Sequence, residues 1–190
     1  MARNGGRHRW TTLVAAHPLV SAAVAVALLA GLVAVLSLFQ PQKLLIETTV
    51  DEAPPSAPAP APTSAAAAPT PTTVPAGPRE LATGALRGLA HRGSGQVRLL
   101  ELADGTRVLR LEDLNVENGP DLHVYLAEAP PDADPARFGR RFVDLGLLKG
   151  NHGNQNYRLP AGADPARFRS AVIWCKRFAV GFAVAPLTAT

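Results

Sequence analysis

One cysteine in 190 residues cannot form a disulfide within the chain, so nothing covalent staples this fold. Aromatic residues are scarce at 5%. The net charge of +4 invites a nucleic-acid reading, but residues 80–190 hold 14 Lys+Arg against 12 Asp+Glu. No basic stripe with interleaved aromatics runs through them, which excludes the electrostatic footprint of a nucleic-acid binder. No C-x-x-C-H is present, so covalent c-type haem is excluded. No phosphate-binding loop occurs. The "GSG" at 93–95 lacks the flanks of a nucleophile elbow and has no base placed beside Ser94, and its glycines read as a turn.

A further absence is positional. From Trp10 to Gln42 there is no Asp, Glu, Lys or Arg. The apolar heart runs from Leu19 to Phe39, and at 1.5 Å per residue it makes a helix of roughly 32 Å. That matches a hydrocarbon core of about 30 Å and exceeds the apolar core of an ordinary signal peptide. No small-x-small cleavage site follows, and the lone cysteine is far from the position that a lipoprotein needs. The segment reads as an uncleaved transmembrane signal anchor (19–39) behind a cytoplasmic basic tail (1–18). Arg3, Arg7 and Arg9 precede it and only Lys43 closely follows, so the positive-inside rule places the C-terminal part outside the cell membrane.

Pro54 to Pro78 holds nine prolines in 25 residues, and Val74 is its only large apolar side chain. Such a stretch cannot bury enough surface to offset its ordering entropy. Within a linker spanning 40–79, it reads as a disordered Pro-rich stalk, reaching roughly 75 Å at about 3.1 Å per residue. It is expected to add nothing to the stability of the domain on its C-terminal side.

Residues 80–190 carry the folded domain. Short apolar runs alternate with turn signals, and no stretch of ten residues shows a clean 3.6 period. In "GQVRLLELADGTRVLRLEDL" two β-rich runs flank Asp104-Gly105, the dipeptide of a type I′ hairpin. In "DLHVYLA", Leu122, Val124 and Leu126 alternate with polar residues, which puts His123 and Asp121 on the solvent face. "SAVIWC" and "FAVGFAVA" are apolar on both faces and read as interior strands. "ADPARF" occurs at 133–138 and again at 163–168. Asp134 and Asp164 fit N-caps with Pro135 and Pro165 at the first helical position, each turn delivering Phe138 or Phe168 to the core edge. The fold class is all-β, an antiparallel β-sandwich or a barrel-like relative of one.

Three stretches, "NGPDLHVYLAEAP" (118–130), "LGLLKGNHGNQNYRLP" (145–160) and "SAVIWCKRFAVGFAVAPL" (170–187), resemble in order and spacing the DM-thirteen domain, an electron-transfer domain found beside DOMON domains. "TGALRGLAHRGSGQVRLLE" (83–101) fits its start, so the likeness covers nearly all of 80–188. The resemblance implies an all-β domain whose signature cysteine falls on Cys175, with a redox role as a bare thiol or through a non-covalent prosthetic group such as haem. It also implies a redox partner protein.

The residues themselves leave Cys175 open to three readings. Cysteine packs as a small hydrophobe, and strand alternation sets Cys175 with Ala171 and Ile173, a structural role. Alternatively Lys176 and Arg177 favour a thiolate at a strand end near solvent, with Trp174 shielding it, and a thiol outside the membrane meets oxidants. A ligand set with His91, His123 or His152 is the third, although none of these histidines forms a short pair and His152 reads as a loop residue. The preferred function is a membrane-anchored, non-enzymatic redox or electron-transfer module centred on Cys175. The alternative is a cell-envelope binding or adhesion module with its own envelope ligand, in which the cysteine is structural.

The orientation is testable. Protease added outside spheroplasts is expected to shorten the chain on a denaturing gel, and protection of residues 80–190 would reverse the assignment.

Overall fold

The computed structural model describes residues 18–39, 47–57 and 77–190, in two compact units divided between Pro41 and Gln42. The central Pro-rich residues 58–76, the basic tail and residues 40–46 lie outside the described residues, and so does the expectation of an extended stalk.

The described part of the first unit is one helix, α1 (Pro18–Phe39). Its Leu and Val side chains face outward on every side, Leu19, Val24, Leu28 and Leu32 among them. A helix apolar all round has no face for water. Leu19–Ser37 is long and apolar enough to cross a membrane, a length and composition that serve a membrane anchor or a signal sequence.

The second unit is almost entirely β. Its strands are β1 (Thr49–Asp51), β2 (Arg79–Gly88), β3 (Gly93–Glu101), β4 (Arg107–Val116), β5 (Leu122–Ala127), β6 (Phe142–Leu147), β7 (His152–Arg158), β8 (Ser170–Cys175), β9 (Val180–Pro186) and β10 (Thr188–Ala189). They form one sheet in the order β1-β7-β4-β3-β2-β9-β8-β5-β6, with β10 paired to the first half of β2. All neighbours are antiparallel except β1 and β7, which run parallel. The sheet is therefore mixed, and it curls into a half-barrel. The all-β, barrel-like expectation holds, within a single sheet.

Strand alternation sorts the core. Val97, Leu99, Leu109, Leu111, Val124, Leu126, Ile173 and Ala183 fill the inside of the curl. On the other side of β5, β8 and β9, a second cluster holds Tyr125, Ala127, Phe138, Val172, Trp174 and Val184. This outer cluster explains the both-face apolarity of "SAVIWC", whose six residues are all buried. The cover comes from the segment between β5 and β6, where Asp134 accepts a hydrogen bond from the Ala136 amide at 2.9 Å and starts a 3-10 turn over Pro135–Arg137. The turn delivers Phe138, with no exposed surface, to the outer cluster. Burying a side chain of that size contributes about 1.5–3 kcal/mol before its entropy cost. The second copy of the device behaves alike: Asp164 caps Pro165–Arg167, and Phe168 enters the inner cluster.

The hairpin at Asp104-Gly105 is present, but its turn differs from the type I′ expectation. Leu102 N donates to Thr106 O at 2.8 Å and Gly105 N to Leu102 O at 2.9 Å. Only Gly105 has positive φ, at 80°. A type I′ turn needs positive φ at both central residues, whereas a type I turn closed by one left-handed residue makes a three-residue loop. The Asp104 carboxylate, by accepting from Thr106 N at 2.9 Å, favours the latter. "GSG" is likewise no turn: it opens β3, with a bulge between Ser94 and Gln96 that has Gly95 at φ 138°.

The largest departure from the sequence reading lies ahead of residue 80. Thr49, Val50 and Asp51, inside the stretch read as linker, pair in register with His152, Gly153 and Asn154. The seat for this strap is built from β4 and β7. Arg110 is 4% exposed, and its Nη1 donates to Glu52 O at 3.1 Å and Ala53 O at 3.2 Å, with Asn156 Oδ1 at 2.9 Å. Lys149 Nζ reaches Glu52 Oε1 at 2.6 Å, and Asn156 N donates to Glu52 Oε2 at 2.8 Å. Glycine is required beneath: a Cβ on Gly153 would stand 2.1 Å from Val50 O, and one on Gly150 2.5 Å from Thr48 O. Gln155 is fully buried and holds the bend before β7: its Nε2 donates to Gly150 O at 2.7 Å, and its Oε1 accepts from Tyr157 Oη at 2.7 Å. Burial pushes the Tyr157 phenol up to about 12.

A chain starting at Arg79 is therefore expected to melt below one starting at Gln42, in contrast to the expectation from sequence. Arg110→Met, which strands buried carbonyls, is expected to cost about 1–3 kcal/mol in urea unfolding. Burial pushes the Glu52 carboxyl up, but Lys149, the Asn156 amide and Arg110 outweigh it and hold the group below its ordinary value. Its contribution is then present above the ordinary glutamate value of about 4.3 and lost as pH falls through the folded value. The gap in melting point between the two chains should shrink over that acid range; a constant gap would remove Glu52 from the account.

Candidate functional site

Cys175 is the last residue of β8, cross-strand from Leu122 on β5 and Val180 on β9. It has no exposed surface and sits in the inner cluster with Leu122, Val124, Ile173 and Phe182. The alternation with Ala171 and Ile173 holds. The near-solvent placement does not, because β5 and β9 flank the strand up to its final residue and Lys176 N closes on Asp121 O at 2.9 Å.

Trp174 does not cover the thiol. Successive residues of a strand point to opposite faces, and Trp174 belongs to the outer cluster while Cys175 belongs to the inner one. The indole packs over Gly139, where a Cβ would stand 3.0 Å from it, and stacks on Tyr125 with centroids 6.0 Å apart. Lys176 is exposed, and its ammonium lies 3.4 Å from Asp144 Oδ2. Arg177 is exposed in the following turn, where Ala179 adopts φ 52°.

A bulge in β9 connects the inner cluster to an open cleft. Ile173 pairs with Ala183 and Trp174 with Gly181, which leaves Phe182 as the extra residue. Its ring enters the inner cluster and stacks on His91 at 3.8 Å between centroids. Gly119 permits this, since a Cβ there would stand 2.9 Å from the Phe182 ring. Glu117 fixes the imidazole by its Oε2, 2.9 Å from His91 Nδ1, and holds Arg92 Nε at 2.9 Å by Oε1. These two partners keep the Glu117 carboxyl below its ordinary value. The cleft beyond has a volume of about 1190 Å³, with Ser94, Asn115 and His152 in its wall.

The other two histidines depart from the sequence reading. His152 is the first residue of β7, with its Nε2 buried and without a hydrogen-bond partner; Glu47 Oε1 is 3.7 Å away. His123 is not on a solvent face. Its side chain is 12% exposed and lies between Asp144 Oδ1 at 3.0 Å from Nδ1 and Asp121 Oδ1 at 3.3 Å from Nε2. Burial pushes the Asp144 carboxyl up, but His123, the Gly146 amide and Lys176 hold it below its ordinary value. No sequence signal joins residues 123 and 144, because β6 meets β5 only through sheet pairing.

The donor set does not fit a haem on Cys175: the sulphur is enclosed by packed aliphatic and aromatic side chains with no room for a macrocycle. Among the described residues no group of three or more His, Cys, Asp or Glu is arranged to hold a metal ion.

The expected chemistry of this thiol comes from its burial. Alkylation of the folded chain should be slow and become complete only in denaturant. Cys175→Ser places a hydroxyl in an apolar site and should cost about 1–3 kcal/mol; a serine variant as stable as the native chain would mean the site takes water.

Residues 85–187, more than half of the chain, match the family model described as electron transfer DM13. No curated protein matches, and no solved structure does.

Proposed function

Since the chain belongs to the electron transfer DM13 family over residues 85–187, we propose that its β unit is a non-enzymatic redox module centred on Cys175, held by α1 at the cell membrane. The observation that carries the reading is the family match, which spans β5, β8 and β9 and takes in Cys175 where they meet. A thiol with no exposed surface meets no second thiol without opening the sheet, so thiol–disulfide exchange is not its work. What remains to it is one-electron exchange, in which a ferric or cupric partner protein takes the electron across the wall of the sheet and the thiol proton leaves to water, both returning on reduction. Lys176 and Arg177, exposed in the turn after the thiol, offer that partner positive charge, and electrostatic complementarity speeds such encounters. Trp174 serves the outer face of the same strand. The arrangement of the flanking arginines supports an N-terminus inside and the β unit outside.

A second reading rests on the cleft. His91, braced by Phe182 and Glu117, is a rigid polar group facing open space, which suits an envelope binding module with Cys175 as packing. Voltammetry of the full chain in detergent separates the two. The redox reading expects a reversible wave that disappears in a folded Cys175→Ala variant. With no wave that responds to the substitution, Cys175 is a packing residue, and with no wave at all the binding module takes the place of the redox reading.

A further inference from the structure

The repeated "ADPARF" device does more than deliver two phenylalanines. Each of its 3-10 turns ends on an arginine, Arg137 or Arg167, and the first runs on into Arg140 and Arg141. The two copies flank one open cleft of about 450 Å³, with Arg140, Arg141 and Phe142 lining it from the first copy and Arg167 from the second. Glu128, just past the end of β5, stands between the walls. Its Oε1 accepts from Arg167 Nη2 at 2.5 Å, and its Oε2 lies 3.7 Å from Arg141 Nη1. Asp164, the other acid of the lining, spends an oxygen on the Ala166 amide at 3.1 Å. The Arg140 side chain is exposed, and among the described residues no hydrogen bond or ion pair engages it. Elsewhere on the sheet arginines pair off closely, as Arg92 does with Glu117 and Arg110 with Glu112. Here three guanidiniums share two carboxylates, and positive charge is left over.

The guanidinium is a planar, permanently charged fork of donors that matches carboxylate and phosphate oxygens. One fork satisfies a carboxylate. A phosphate carries acceptor oxygens in several directions and suits arginines that arrive from two loops. The cleft is also larger than a bare phosphate ion, and Phe142, 38% exposed, gives it an apolar side. We propose that the cleft between the two turns binds a phosphate ester, its phosphate held by Arg140, Arg141 and Arg167 and its organic part laid against Phe142. Tyr125 braces that ring from behind, with centroids 4.1 Å apart. Glu128 orders Arg167 and Arg141 for the incoming phosphate, while its own charge opposes it. A soluble ester and the headgroup of an anionic phospholipid offer the same phosphate chemistry to this site.

Two arms separate those sources. The full chain in a maltoside detergent and phosphate-free buffer is titrated with glycerol 3-phosphate and followed by calorimetry. In the second arm phosphatidylglycerol is mixed into the same micelles, and the rise in melting temperature is read, since a ligand of the folded state stabilises it. Saturable binding of glycerol 3-phosphate identifies a soluble ester; a saturable rise with phosphatidylglycerol alone identifies the lipid headgroup. In whichever arm responds, Arg140→Gln with Arg167→Gln should weaken binding by about tenfold or more, the scale of a lost hydrogen bond to a charged group. Arg140→Gln alone breaks no ion pair, so it should weaken binding and leave the melting of the ligand-free chain unchanged. Arg177→Gln removes the same charge outside the cleft and should leave binding unaltered. Glu128→Gln keeps an acceptor for Arg167 and removes the opposing charge, so it should tighten binding severalfold. No saturable response in either arm, or a response that Arg177→Gln weakens as much as Arg140→Gln does, would overturn the proposal.

Discussion

The adjacent strands β9, β8 and β5 in one half of the sheet are covered on both faces, and this double burial governs what each residue there can do. A strand with one wet face writes a polar residue at every second position; β8 cannot. Ala171, Ile173 and Cys175 join a core within the curl, and Val172 and Trp174 join another beneath the segment that carries Phe138. Cys175 and Trp174 are neighbours in the chain and face different compartments. One is enclosed by aliphatic groups, the other joins an aromatic stack that reaches solvent at Phe142.

Much of this was legible in the sequence. Period-2 alternation located β5, continuous apolar runs located β8 and β9, and the repeated Asp-Pro pairs located both 3-10 turns, because these signals are local. What stayed illegible depends on pairing across long separations. The solvent-face assignment of His123 failed because Asp144 arrives from β6 to meet it. The shielding role of Trp174 failed because adjacency in sequence is opposition in a strand. The strap was hidden most thoroughly: Thr49 and Val50 suit a strand, but three residues beside a proline run are too few to announce one, and they are held by groups about 100 positions away. The glycines at 150 and 153 leave room for the backbone of β1, a use that no local pattern announces.

The polar groups of the domain obey the same logic of paired use. Arg110 is a buried cation whose donors go to backbone carbonyls, an amide and Glu112. An unpaired charge at that depth would be costly, so its burial is sensible only while the strap is seated. Glu117 likewise joins a histidine and an arginine at the cleft. In each case a charged side chain belongs to a joint between segments distant in sequence.

The seating of β1 changes what the Pro-rich segment is. The chain meets the sheet at β1, leaves it after Ala57, and returns to the same sheet at β2. Both ends of the segment are fastened to one body, so it is a closed handle on that body. A bond broken within the handle does not part the protein. The N-terminal piece would still be held by the β1 ladder, Arg110 and Lys149, so the β unit would come away only when that joint opens. Shedding of the β unit would then be set by the rate at which three residues unzip from β7, and cutting alone would not release it.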